Sequence, residues 1–92
     1  MSRYTWHPEK ERVNVAKHGV WFEEAETVPE SDLAKWVPDT RDPDDPDRFV
    51  ITGYSTAGNS LVVITSESGP PPRLISARRA TKRERHEYEA RP

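Results

Sequence analysis

The run from Arg73 to Arg85, Arg-Leu-Ile-Ser-Ala-Arg-Arg-Ala-Thr-Lys-Arg-Glu-Arg, leaves this chain little choice of architecture. Leu74 to Ala77 reads as a buried strand. Thr81-Lys82-Arg83-Glu84 then places a threonine three residues before a glutamate, the capping box that opens a helix. A strand therefore hands over directly to a helix, with Arg78 and Arg79 at the junction. A guanidinium held between two ordered elements presents a planar fork of donors that matches a phosphate. Six of the fourteen basic residues fall between Arg73 and Arg85, against one acid, Glu84.

Such a strand needs partners, and the preceding residues supply them. Arg48 to Ser55 and Ser60 to Ser66 are β-prone runs joined by the turn Thr56-Ala57-Gly58-Asn59, which makes them a hairpin. Glu67 to Pro72, stiffened by three successive prolines, leads into Arg73 and completes a meander. Leu33 to Val37 is a further apolar run that Pro38 confines to a sheet edge. Ahead of the sheet, Tyr4-Thr5-Trp6 reads as a short first strand. Pro8 to Lys17 reads as a helix with Val13, Ala16 and Val20 as its apolar stripe, stopped by Gly19. Trp21 to Val28 reads as a short second helix, with Trp21, Ala25 and Val28 on one face and Pro29 at its end, folded back on the first as a hairpin. Asp39 to Asp47 has no periodicity and is expected to be the most mobile loop. The last helix runs from Thr81 to about Glu89. The expected fold class is α+β: a single domain over residues 1–92, with an antiparallel sheet of three to four strands, two N-terminal helices and one C-terminal helix.

Composition narrows the function. An apolar fraction of 33% in 92 residues allows one thin core, a sheet covered on one face by helices. With no cysteine there is neither a disulfide nor a thiolate metal site. The N-terminus has no apolar leader region and no run approaches a membrane span, so a cytoplasmic protein without membrane contact is expected. The net charge of −2 hides an asymmetry: residues 23–48 carry ten acids and three bases, residues 73–92 seven bases and three acids. The C-terminal part suits a polyanion and the middle repels it. No metal motif is present. The aspartates of 39–47 lack the glycine and terminal glutamate of a calcium loop and read as a solvated segment. No metal and no cofactor is expected.

The ordered set Trp6-His7-Pro8-Glu9-Lys10, Asn14, Lys17-His18-Gly19-Val20, Phe22-Glu23-Glu24-Ala25, Arg48-Phe49, Gly53, Leu61-Val62-Val63, Ile75-Ser76-Ala77-Arg78, Glu84-Arg85 and Tyr88 resembles the BrnT family of toxins over nearly the whole chain. The resemblance implies a fold similar to RelE-type toxins, a ribonuclease activity that arrests growth, and a BrnA-type antitoxin that binds the toxin and reaches operator DNA. The chain departs from the family pattern at three places. His7 stands where an acidic N-cap is usual, which is expected to weaken the first helix's start, and Pro29 where an aromatic commonly packs. Thr65-Ser66-Glu67-Ser68 replaces a segment that in many relatives reads His-Thr-Glu-Arg.

Cutting RNA without a metal requires a group that takes the 2′-proton, cations that hold the phosphate, and a donor for the leaving oxygen. Given the resemblance, Lys17, His18, Arg48 and Arg78 are the catalytic candidates, with His18 as proton carrier because imidazole titrates near neutrality. Arg79, Lys82, Arg83, Glu67 and Tyr88 are candidates for RNA contact. Each also has an ordinary explanation. Lys17 and His18 form the basic last turn that a helix favours, Arg78 can bridge acids of the second helix or the 39–47 loop, and Arg48 can bridge Asp47 or Asp45. Glu67 can be an ion-pair partner, Tyr88 can pack on the sheet, and Lys82 and Arg83 can be a solvated face. Two rivals stay open: an inactive module that acts with the antitoxin as corepressor, and a nucleic-acid-binding domain acting alone.

Overall fold

The computed structural model describes residues 3–90. Their elements run α1 (Pro8–His18), α2 (Phe22–Ala25), β1 (Lys35–Pro38), β2 (Arg48–Tyr54), β3 (Ser60–Ser66), β4 (Arg73–Arg79) and α3 (Lys82–Ala90). The four strands form an antiparallel meander in the order β1-β2-β3-β4, the α+β class read from the sequence. The hairpin pairs Tyr54 with Ser60, and its turn carries Gly58 at φ 83°. β1 is the edge strand that Pro38 required, exposed along its length.

Alternation along the strands separates two faces. Ile51, Leu61, Val63, Leu74 and Ala77 point to one side and pack with Tyr4, Val20, Phe22, Ala25 and Val28. Phe22 is the largest of these side chains, fully buried and edge-on to Trp6 at 5.9 Å between ring centroids. Val50, Val62, Ile64, Ser76 and Arg78 line the other face, which is left partly open. Both α1 and α2 pack against β4.

Several details differ from the sequence expectation. Tyr4 to Trp6 is not a strand: Thr5 makes one parallel bridge to Arg73, donating to the Pro72 carbonyl and accepting from Leu74 N–H. On α1, Val13 and Ala16 face solvent, and the buried residue is Asn14. Its amide donates to the carbonyls of Val20 (3.0 Å) and Ala77 (2.8 Å) and accepts from Ala77 N–H (3.0 Å). One polar side chain thereby completes the outer edge of β4 and ties the exit of α1 to it, which an apolar stripe could not do. Trp21 is exposed as the residue before α2, and Phe22 takes the core position instead. His7 does not weaken the start of α1, because its Nδ1 accepts from Glu9 N–H at 3.2 Å. Asp39 is buried rather than part of a free loop, with its backbone N–H bonded to the Arg48 carbonyl.

α3 begins as its sequence requires. Glu84 N–H donates to Thr81 Oγ1 (3.1 Å) and Thr81 N–H donates to the Glu84 carboxylate (2.8 Å), a closed capping box. The described residues of α3 include none that is buried. The helix leans on the open sheet face through Tyr88, whose ring meets Tyr54 edge-on and whose hydroxyl donates to the Leu33 carbonyl.

Candidate functional site

β4 delivers Arg78 to the open face, and the period of two sends Arg79 to the other side, where it donates to Asn59 Oδ1 at 3.2 Å. The two arginines joined in the sequence are therefore separated in space. Arg78 lines a cleft of about 310 Å³ together with His18, Arg41 and Ser76, over a floor of Val50, Val62 and Ile64. His18 reaches this cleft because α1 runs along the outer edge of β4, fixed there by Asn14, and Gly19 in the left-handed conformation (φ 70°) stops the helix at the cleft's rim.

The electrostatics of the cleft follow from two carboxylates that orient its cations. Glu84 grips Arg78 through two parallel hydrogen bonds of 2.7 and 2.9 Å. The Arg78 guanidinium, hydrogen-bonded to it, holds the Glu84 carboxyl down at about 2. A third N–H of Arg78 goes to the Arg79 carbonyl, so two of its five donors remain for a ligand. Asp39 does the same for Arg41, accepting from Nε at 2.8 Å and from the terminal amine at 2.9 Å. That pairing lowers the Asp39 carboxyl from its ordinary 3.8 to about 2. The Arg41 side chain remains 70% exposed, and its charge acts on Arg78 across the cleft. Each arginine keeps N–H groups beyond those bonded to its carboxylate, donors that an anion in the cleft can use.

The remaining candidates are dispersed. Lys17 lines an adjoining groove along α1, which shares His18 and Ser76 with the cleft. Arg48 stands behind Arg41, 3.2 Å from Asp42 and 3.8 Å from Asp39, and does not line the cleft. Its partners are these two acids rather than Asp45 or Asp47. Glu67 accepts from the Tyr4 hydroxyl (2.9 Å) and from Thr65 Oγ1 (2.7 Å), away from the cleft. Thr65 is fully buried, so the departure from the family pattern at this position does not open onto the site. Lys82 and Arg83 lie exposed on α3, Arg83 paired with Glu87 at 3.1 Å. Tyr88 braces α3, as its packing explanation had it. Arg41 and Ser76 are the residues that sequence reasoning passed over as site members. No local pattern marked Arg41, because its aim depends on the buried Asp39 carboxylate. Among the described residues, no three His, Cys, Asp or Glu side chains gather into a group able to hold a metal ion, and no helix is long and apolar enough to cross a membrane.

A four-stranded meander with one face packed under helices and the other carrying oriented arginines beside a histidine defines a small α+β domain with an open, arginine-lined cleft. The chain belongs to the BrnT family: the family model for the ribonuclease toxin BrnT of type II toxin–antitoxin systems matches residues 6–84. The fold is similar to the 1.1 Å crystal structure of the Brucella abortus ribonuclease toxin BrnT. The two are 27% identical with a TM-score of 0.67, over 86% of this chain and 96% of that one. No protein of curated function matches the sequence. Membership of a type II system implies a partner antitoxin.

Proposed function

We propose that the chain is a metal-independent endoribonuclease that cuts by internal phosphoester transfer, and that a BrnA-type antitoxin silences it by covering the cleft. The convergence of His18, Arg41, Ser76 and Arg78 on one open cavity carries this reading. The ribose 2′-oxygen attacks the adjacent phosphorus and loses its proton. The bond from phosphorus to the 5′-oxygen breaks and that oxygen gains a proton, leaving a 2′,3′-cyclic phosphate and a 5′-hydroxyl. His18 is the proton-handling side chain of the cleft. Arg78 and Arg41 meet the charge that builds on the phosphoryl oxygens, held by Glu84 and Asp39 so that little reorganisation is needed during reaction. Lys17 adds positive charge at the rim. Arg48 supports Asp39 from behind, Arg79, Lys82 and Arg83 form an outer cationic surface, and Glu67 and Tyr88 serve as hydrogen-bonding and packing partners. The substrate places the protein in the cytoplasm, and operator DNA is reached only through the antitoxin.

The test is incubation of the antitoxin-free protein with labelled RNA in EDTA beside Arg78→Ala at equal folded content. Cleavage by the wild type, reduced about 10²- to 10³-fold in the variant, is expected. Intact RNA with folded wild type overturns cleavage of free RNA and favours a corepressor that keeps only the antitoxin interface, or an enzyme that cuts only on the ribosome.

A further inference from the structure

The cleft does not end at His18. His18 and Ser76 also form one end of a larger groove of about 440 Å³ that continues along α1. Its walls alternate in character: Lys10, Lys17 and His7 are cationic or hydrogen-bonding, while Val13 and Ile75 are apolar. Val13 is 53% exposed and outside the core, so its side chain is accessible from the groove. The one acid in the wall, Glu9, is paired with Arg12. Lys10 and Lys17 are two helical turns apart, about 10 Å along the axis, and project on the same face with Val13 between them.

We infer that this groove is a binding site for the single-stranded nucleotides flanking the scissile phosphate. Lys17 and then Lys10 hold successive phosphates, and a base or ribose lies over Val13 and Ile75. The inference rests on the ribonuclease reading of the adjoining cleft and assigns the direction in which the strand leaves it. Both chemistries of a nucleotide are met here, an anion by the lysines and an apolar ring face by the aliphatic floor. Continuity through His18 and Ser76 lets one strand occupy both cavities. Lys17 then belongs to the flanking track, and the proton chemistry rests with His18.

The experiment compares binding of a non-cleavable 2′-deoxy dinucleotide with that of a 2′-deoxy hexanucleotide, for wild type, Lys10→Ala, Val13→Ser and Lys35→Ala. All three replaced side chains are exposed, so the variants fold. The wild type is expected to bind the hexamer at least tenfold more tightly than the dimer. Lys10→Ala and Val13→Ser are each expected to cut that advantage several-fold, and Lys10→Ala also to flatten the salt dependence of hexamer binding by about 0.7 in logarithmic slope. Lys35→Ala removes the same charge from the edge strand β1, outside the groove and the cleft, and is expected to keep the full length advantage. Equal affinity of wild type for dimer and hexamer, or equal losses in Lys10→Ala and Lys35→Ala, overturns the flanking site and leaves the cleft reading intact. Failure of both oligonucleotides to bind overturns the cleft reading as well.

Discussion

Asn14 shows how much a single side chain decides. A chain that ends its sheet with β4 exposes that strand's outer N–H and C=O groups. At Ala77 both are taken by one amide, which also holds the Val20 carbonyl where the chain leaves α1. Replacing Asn14 with alanine strands these buried groups, and a loss of about 3 kcal/mol is expected in urea unfolding. Asn14→Asp keeps the shape but cannot donate to the two carbonyls, so it should be no milder. A variant within 0.5 kcal/mol of wild type, on the scale of ordinary surface changes, sinks this account. Asp39 decides the site in the same way through Arg41. Because its carboxyl is held at about 2 in the folded protein against an ordinary 3.8, its contribution to stability is complete above pH 3.8 and fades as pH falls toward 2. Asp39→Asn should therefore show a smaller drop in urea midpoint between pH 5 and pH 2.5 than wild type. An undiminished drop would show that other carboxylates govern the acid limb.

Elements differ in how firmly they are anchored, and α3 is the loosest. β3 is paired on both sides and contributes Leu61, Val63 and Thr65 to the buried set, whereas α3 rests on its capping box, the Arg78–Glu84 bridge and Tyr88. Amide exchange should thus open α3 well before β3. Thr81→Ala, which removes the cap at a cost of about 1 kcal/mol, should speed α3 exchange about fivefold and leave β3 unchanged. Uniform acceleration across both elements would show that α3 opens only with the whole domain. The contrast between elements also explains what the sequence made legible. The hairpin, the edge strand stopped at Pro38 and the start of α3 rest on local turn and cap chemistry, which neighbouring residues encode. The buried face of α1 was not legible, because its partner is backbone 63 residues away rather than an apolar surface. The site divided along the same line. Arg78 was visible from its strand-end position, and Arg41 was hidden because only the folded chain turns the Asp39 carboxylate inward to aim it.

At the scale of the whole molecule, net charge and local field point in opposite directions. A chain of net charge −2 should repel a polyanion, yet the fold pairs Asp39 and Asp42 with Arg41 and Arg48, and the α1 groove beside the cleft carries Lys10 and Lys17 against one acid, Glu9, that Arg12 neutralises. The field that an approaching strand meets is set by the nearest charges within a Debye length of roughly 8–10 Å, so the lysines of the groove weigh more than carboxylates on the far side of the molecule. A 2′-deoxy oligonucleotide, which lacks the attacking hydroxyl, should therefore bind the native state and raise the melting temperature. At about one hundred times its dissociation constant the gain is ~2.7 kcal/mol. For a domain of this size that corresponds to a shift on the order of ten degrees. The shift should shrink steeply between 50 and 200 mM salt as counterion release weakens. It should also shrink in Arg78→Ala compared with that variant's own unliganded midpoint. A melting temperature indifferent to the oligonucleotide at low salt would mean that net charge prevails and that the paired arginines are structural, with Glu84 and Asp39 as their only anionic ligands.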